Sequence, residues 1–270
     1  MRAECAALRY GGRRLGLVPT MGALHEGHLS LLRAARAQCE VVAASIFVNP
    51  TQFGPQEDLA KYPRPFARDS ELLRAEGVDL LFAPSVEEMY PQGAVTYVNV
   101  EGLSERLCGR SRPGHFRGVA TVVSKLFHVV QPEVAFFGQK DAAQVAVIRA
   151  MVRDLLLPVE IVACPIVREA DGLALSSRNV YLTTEQLRQA LALSRSLLRV
   201  QQLHESGERD SSRLIAAGVQ EFSREDGARL DFLEIVNADS LQPLETARPG
   251  ALAAVAAFLG STRLIDNLVL

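Results

Sequence analysis

A tight turn is predicted at Pro19-Thr20-Met21-Gly22-Ala23-Leu24-His25-Glu26-Gly27-His28, between the apolar run Leu15 to Val18 and an amphipathic stretch from about Gly27 to Gln38. This order of strand, turn and helix is the unit that builds parallel sheets. Ligands bind such sheets at the carboxyl ends of the strands, where a helix N-terminus offers N–H donors to an anion. His25 and His28 are placed so that both imidazoles can face one anion. Histidines that merely begin a helix would give the same short pattern.

The same alternation continues outward from this turn. Apolar runs predict strands at Val41 to Val48, Leu80 to Ala83, Glu133 to Phe137 and Val159 to Val167, and amphipathic stretches predict helices at Phe66 to Glu76, Gly118 to Val130 and Asp141 to Leu155. The fold class is therefore α/β, with a parallel sheet covered by helices on both faces.

The last hundred residues have a different pattern. A long helix after Thr183, a second helix over Ser211 to Glu225, and strands at Leu230 to Val236, Ala251 to Leu259 and Leu264 to Val269 indicate a small α+β unit. The polar run Arg168 to Arg178 separates it from the first unit. We therefore expect two domains, residues 1–167 and 168–270.

Composition and charge favour small-molecule chemistry. The 270 residues are 48% hydrophobic and carry a formal net charge of -2, so neither nucleic acid nor a membrane is expected as a partner. The four cysteines lack metal-ligand spacing and are predicted to be reduced core thiols. No apolar stretch is long enough for a leader or a membrane span, and we expect the protein in the cytoplasm.

Four motifs in order resemble those of the pantothenate synthetases, within the nucleotidyltransferases that carry a HIGH-type signature. The first is the turn quoted above, which matches Pro-Thr-Met-Gly-x-Leu-His-x-Gly-His. The others are Ser45 to Phe53, Phe137 to Gln144 and Arg168 to Asn179, and Phe258 to Asn267 is similar to the family's C-terminal end.

The chain departs from the family pattern in three places. Thr51 stands where Met is usual, and Ala143 stands where the family usually has the first of two adjacent Gln. About fourteen residues precede Leu15, fewer than the strand and helix that members usually place there.

The resemblance implies a Rossmann-like nucleotidyltransferase domain with a small α+β C-terminal lid, in a homodimer. It implies that pantoate attacks ATP to form a pantoyl-adenylate and pyrophosphate, and that β-alanine then attacks the adenylate to release pantothenate and AMP. Mg²⁺ bound mainly through the ATP phosphates is implied, without a protein metal site. The base that deprotonates β-alanine is not identified by the sequence.

The resemblance also assigns roles to residues. The catalytic candidates are His25, His28, Lys140 and Arg178, which can offset the negative charge that grows during adenylyl transfer. Asn49, Gln52 and Gln144 are the candidates for binding pantoate and β-alanine, with Gln144 as the retained pantoate contact. The ATP contacts implied are Met21, Gly22, Ala23, Leu24, His25, Glu26, Gly27, His28, Gly138, Gln139, Lys140, Asp141, Val167, Leu175, Ser176, Ser177 and Arg178.

Two alternatives stay open. One is another HIGH-type transferase that passes a nucleotide to a phosphate, and the other is a catalytically silent nucleotide-binding module. Ser111 to Val119 also looks like part of the family pattern, but His115 and Arg117 within it receive no assigned role and can be structural.

Overall fold

The larger sheet determines where the site lies. The computed structural model describes residues 1–55 and 57–270. Five parallel strands stand in the order β3-β2-β1-β4-β5. They are Leu15–Thr20 (β1), Val41–Ile46 (β2), Leu80–Phe82 (β3), Val134–Gly138 (β4) and Glu160–Cys164 (β5). The predicted α/β fold with a parallel sheet is confirmed.

Helices cover both faces of this sheet. They are Arg2–Arg9 (α1), Glu26–Gln38 (α2), Phe66–Ala75 (α3), Val86–Met89 (α4), Cys108–Ser111 (α5), His115–Val130 (α6) and Ala142–Asp154 (α7). Leu17 and Ala43 pack in the core formed with α6 and α7, whereas Val18 and Val42 point to the opposite face, toward α2 and α3. The central strands β1, β2 and β4 are buried on both faces, which explains their nearly continuous apolar sequences.

Several boundaries differ from the predicted ones for local reasons. β5 ends at Cys164 because Pro165, which follows it, has no backbone N–H to donate. α6 begins at His115, three residues early, after Gly114 adopts the left-handed conformation with φ 82°. The short helices α4 and α5 and the N-terminal α1 are not foreseen by the hydrophobic pattern.

The C-terminal part contains Thr184–Glu205 (α8), Ser211–Phe222 (α9) and an antiparallel sheet of Ala228–Asn237 (β6), Ala251–Leu259 (β7) and Thr262–Val269 (β8). Thr183 caps α8 in a capping box with Gln186, as its sequence predicts. Phe232 and Leu252 of this sheet join the core that α6 and α7 form with the larger sheet. The smaller sheet is therefore packed against the larger unit through apolar side chains.

All four cysteines are buried, as predicted for core residues, and their thiols are free in the structure. Within 1–55 and 57–270, no helix combines the length and the apolar character needed to cross a membrane.

Candidate active site

A cleft of about 210 Å³ opens at the carboxyl ends of β1, β2 and β4. This is the edge at which parallel sheets bind ligands. A larger cavity of about 840 Å³ lies between the smaller sheet and helices α5, α6 and α7. It shares Lys140, Gln144 and Arg178 with the cleft, so the two spaces adjoin. The site is thus built between the larger sheet and the C-terminal part.

Most residues that the sequence singles out line this cleft. Those in the lining are Met21, His25, Gly27, His28, Asn49, Gln52, Gly138, Lys140, Asp141, Gln144, Val167, Leu175, Ser176, Ser177 and Arg178. The structure places Gly22, Ala23, Leu24, Glu26 and Gln139 outside the lining. Leu24 packs in the core beneath α2, and the Glu26 carboxylate pairs with Arg33 at the surface.

The two histidines form a reciprocal cap at the start of α2. His25 Nδ1 accepts the N–H of Gly27 at 3.1 Å, and His28 Nδ1 accepts the N–H of His25 at 3.4 Å. Their ring centroids are 4.1 Å apart. Because each Nδ1 is an acceptor, each neutral ring carries its hydrogen on Nε2. The turn therefore presents two neutral N–H donors.

The electrostatic surroundings keep both rings neutral. Burial, helped by the charge of Lys140, lowers the pKa of His25 to about 4. Burial also lowers the pKa of His28 to about 3, with further contributions from His25 and Lys140. A neutral imidazole donates a hydrogen bond without a counter-charge, so the pair can stabilise a phosphate oxygen across the neutral pH range.

The backbone donors of this turn are already occupied, which differs from the expected array of open N–H groups. Thr20 Oγ1 accepts the N–H of Gly22 at 3.1 Å, and the carboxylate of Asp69 accepts those of Ala23 and Leu24. Imidazole N–H groups, rather than these backbone amides, are the donors available to an anion.

The second predicted motif forms a hydrogen-bonded turn around Asn49. Its amide donates to Gln52 Oε1 at 3.0 Å and to the Gly118 carbonyl at 3.1 Å, and its Oδ1 accepts from Tyr90 and Thr51. Both amide hydrogens of Asn49 are therefore used inside the protein. Gln52, whose Nε2 also reaches Met21 Sδ at 2.9 Å, keeps one amide hydrogen for a ligand.

Ala143 and Gln144 point to different spaces. Gln144 lines both the cleft and the larger cavity, whereas Ala143 is buried in the α6 and α7 core and borders only the larger cavity. Because adjacent helical residues lie on different faces, the Ala143 side chain is directed away from the cleft. The departure from the family pattern at Ala143 therefore falls on a residue that does not line the cleft.

Lys140 lies in a short 3₁₀ turn, Gln139–Asp141, between β4 and α7. Asn267 of β8 donates its side-chain amide to the carbonyls of Gln139 and Lys140, both at 2.9 Å. No carboxylate of the described residues pairs with the Lys140 ammonium, although that group faces the cleft. A half-buried ammonium group without a carboxylate partner is available to an anionic ligand.

The polar loop after β5 is anchored at both ends. Arg168 forms a bidentate pair with the buried Asp266 at 2.6 and 2.8 Å. Arg178 forms a second bidentate pair with Asp58 at 3.0 Å for each bond, and Ser177 Oγ lies 3.2 Å from the Tyr62 hydroxyl. Burial opposes the charge of Arg178, but the pairing with Asp58 prevails and raises the pKa of the guanidinium. Arg178 is thus a charged group held above the cleft.

Among the lining residues that received no role from the sequence are three with titratable side chains, Tyr62, Arg112 and His115. His115 donates from Nδ1 to the Gln52 carbonyl at 2.8 Å, and Arg112 Nη1 lies 2.9 Å from His115 Nε2. Burial, followed by the charge of Arg112, lowers the pKa of His115 to about 4. The run Ser111 to Val119, which resembles the family pattern, contains Arg112 and His115. No spacing rule in the sequence predicts that His115 contacts Gln52.

The chain matches known proteins over nearly its whole length. A family model described as pantoate-beta-alanine ligase matches residues 1–269. The chain is 60% identical over 270 residues to a pantothenate synthetase of Koribacter versatilis, covering 100% of this chain and 93% of the relative. A pantothenate synthetase of Moorella thermoacetica is 59% identical, with 100% and 95% covered.

Solved structures agree with these relatives. The pantothenate synthetase of Thermus thermophilus is 50% identical, covers 98% of this chain and 96% of its own, and superposes with a TM-score of 0.93. A Francisella tularensis pantoate-beta-alanine ligase, described as complexed with beta-gamma ATP and beta-alanine, is 34% identical with a TM-score of 0.79, and 99% and 95% of the two chains are covered.

Proposed function

The chain belongs to the pantoate-beta-alanine ligase family, and from that premise we propose how the cleft divides its residues among ATP, pantoate and the reacting atoms. The reaction is the ATP-dependent condensation of pantoate with β-alanine to pantothenate. Pantoate is activated as a pantoyl-adenylate, and AMP and pyrophosphate are released. The observation that carries the assignment of residues is the pair of neutral imidazole donors in the same cleft as a lysine that no described carboxylate pairs with.

The first half-reaction has an electrostatic problem. A carboxylate must approach an anionic triphosphate, and negative charge grows on the leaving pyrophosphate. His25 and His28 donate from Nε2 to phosphate oxygens, and Lys140 adds a full positive charge. The imidazoles are fixed by the cap at the start of α2, so little reorganisation is needed as charge develops.

Arg178 and the adjacent hydroxyls bind the outer phosphates in this proposal. Because Asp58 holds Arg178 in a bidentate pair, the triphosphate must compete with a carboxylate for the guanidinium. The planar fork of Arg suits either partner. Binding of ATP would therefore transfer Arg178 from Asp58 to the phosphates and draw the loop toward the cleft.

Pantoate is bound between the two glutamines. Gln52 and Gln144 line the same cleft from different elements and offer both donors and acceptors to a hydroxylated acid. Asn49 supports this subsite by holding the Gln52 amide, since its own donors are used. His115 does not act as the base for β-alanine, because both of its ring nitrogens are already hydrogen bonded.

Mg²⁺ is proposed to arrive with the ATP phosphates. The described residues contain no group of three or more His, Cys, Asp or Glu side chains able to hold a metal. Mg²⁺ commonly keeps several waters and takes one or two carboxylates, and Asp141 lines the cleft beside Lys140. Asp141 therefore fits as a protein contact for a phosphate-bound Mg²⁺, which would offset phosphate charge.

The proposal also covers the roles of the two domains, the oligomeric state and the cellular compartment. We propose that residues 1–167 form the ATP- and pantoate-binding domain and residues 168–270 a lid, supported by the separate sheets of the two parts. A homodimer is proposed from the family resemblance. Four buried free thiols support the cytoplasm as the compartment.

Exchange of labelled pyrophosphate into ATP tests the reaction. Exchange should require pantoate and should proceed without β-alanine, because the adenylate forms before the amine attacks. Formation of ADP, or exchange that strictly needs the amine, would contradict the adenylate mechanism. Transfer of AMP to an added phosphate compound would favour the alternative transferase, and binding of ATP without turnover would favour a silent module.

His28→Ala tests the residue assignment. Loss of one preorganised donor should slow adenylate formation about 10²- to 10³-fold in a single-turnover assay, while ATP affinity changes only a few fold. His128→Ala is the matched control, because His128 is an exposed histidine on α6 outside the cleft. A normal rate of adenylate formation in His28→Ala would mean that Lys140 and Arg178, rather than His28, stabilise the phosphate charge.

A further inference from the structure

Asp69 of α3 is a buried carboxylate that neither lines the cleft nor pairs with a cation among the described residues. Only 1% of its surface is exposed. Oδ2 accepts the N–H of Ala23 at 2.8 Å, and Oδ1 accepts the N–H of Leu24 at 2.9 Å. An unpaired buried charge is costly unless hydrogen bonds compensate it. Both of its oxygens are bound to the turn that precedes the catalytic histidines.

The turn held by Asp69 has an unfavourable backbone. Gly22 has φ 83°, and Ala23 has φ 51° although it is not glycine. The left-handed conformation costs an ordinary residue roughly 1 to 2 kcal/mol. A Cβ on Gly22 would lie 3.0 Å from Asp69 Oδ2 and 3.1 Å from Ile46 Cγ2. The turn is therefore closely fitted to the carboxylate, and conformations of this kind persist only where the surroundings enforce them.

The histidine cap begins directly after this turn. Leu24, one of the two residues that donate to Asp69, is followed by His25, whose backbone N–H is bound to His28 Nδ1. A shift at Ala23 and Leu24 would thus move the N–H group that orients the His28 ring. Small misplacements of catalytic groups have large kinetic effects, since about 1 Å can cost 10²-fold.

We propose that Asp69 is a positioning residue for adenylyl transfer, which fixes the left-handed turn so that His25 and His28 present their Nε2–H groups to the phosphate. The proposal rests on the function proposed for the two histidines. Asp69 acts through the backbone of the turn and touches neither ATP nor pantoate.

Asp69→Asn is the decisive substitution, because it keeps the shape of the side chain and removes one acceptor. The NH₂ group of Asn would face a backbone N–H, so only one of the two hydrogen bonds can form. The rate of adenylate formation should fall on the order of 10- to 100-fold, with the KM for ATP changed less than about threefold. Asp79→Asn is the control outside the cleft lining. Asp79 also accepts a backbone N–H, that of Val42, at 2.8 Å, and it differs from Asp69 in pairing with Arg36.

A double-mutant cycle separates positioning from general stabilisation. Single-turnover adenylate formation is measured for Asp69→Asn, His28→Ala and the double variant, at a temperature well below each Tm. If Asp69 acts through the histidines, its substitution should cost less than about threefold in the His28→Ala background. Equal losses in both backgrounds would overturn the proposal, as would a lowered Tm with a normal rate.

Two further measurements keep the test independent of catalysis and of folding. ¹⁵N NMR of the imidazoles should show altered tautomer signals for His25 and His28 in Asp69→Asn but not in Asp79→Asn, and unchanged signals would overturn the proposal even if His28 proves dispensable. Ala23→Gly, which adopts the same φ without strain, should restore part of the lost rate and stability of Asp69→Asn. No gain from this second substitution would also count against the proposal.

Discussion

Gly118→Ala should damage the proposed pantoate subsite by displacing the turn that carries Gln52. Gly118 lies in α6 where the helix contacts the turn Pro50–Gln52, and an added Cβ would lie 2.4 Å from the Thr51 carbonyl oxygen and 2.7 Å from the Gln52 nitrogen. Ordinary contact begins near 3.4 Å, so the turn must withdraw by about 1 Å. That movement would also strain the hydrogen bond from Asn49 to the Gly118 carbonyl. A displacement of about 1 Å predicts a loss on the order of 10²-fold in kcat/KM for pantoate, or about 2.7 kcal/mol.

The assay is steady-state kinetics with pantoate and ATP varied in turn, together with thermal unfolding. Alanine raises helix propensity by about 1 kcal/mol over glycine, so the variant should still fold. The loss should appear for pantoate and not for ATP. Gly54→Ala is the control in the same loop, because its Cβ would only touch the flexible Glu57 side chain at 3.4 Å. A folded Gly118→Ala enzyme with normal kcat/KM for pantoate would refute the assignment of Gln52.

Two other predictions follow from residues of the site. Gln144→Ala should raise the KM for pantoate, at a cost of about 1 to 3 kcal/mol in binding free energy. Ala143→Gln should leave that KM unchanged, because Ala143 faces away from the cleft. A large gain of activity in Ala143→Gln would contradict this geometry. The free energy of unfolding should decrease as the pH falls from 6.5 to about 4.5, because His25, His28 and His115 have lowered pKa values and the unfolded chain binds more protons there. His115→Gln should reduce this slope by up to about 1.4 kcal/mol per pH unit, measured by urea unfolding at several pH values, and an unchanged slope would show that His115 does not titrate as inferred.

The sequence predicted well the strands and helix caps that depend on residues close together in the chain. The buried strand Val41–Ile46 is apolar except for Ser45, and the caps of helices such as α8 depend on residues three positions apart. Both signals lie within a few residues along the chain. The order of strands at the carboxyl edge then brings the predicted motifs into one cleft.

The contacts that the sequence did not predict connect residues far apart in the chain. Asp69 is 46 and 45 positions from the N–H groups it accepts, and nothing in its own helix distinguishes it from a solvated acid. Asp58 is 120 positions from Arg178, and the pairing depends on where the loop after β5 folds back. Such partners are selected by tertiary packing, which periodicity and propensity do not encode.

The neighbouring residues Asp266 and Asn267 of β8 connect the smaller sheet to two separate segments of the proposed ATP site. Asp266 holds Arg168 at the base of the polar loop, and Asn267 holds the carbonyls of Gln139 and Lys140. These contacts constrain recombination between relatives. Consider a chimera that joins the first 167 residues of one enzyme to the C-terminal part of another. Its site would be functional only if the residues on both sides of each anchoring contact remained compatible. The C-terminal part would then contribute to the proposed nucleotide site and could not be exchanged as a separate unit.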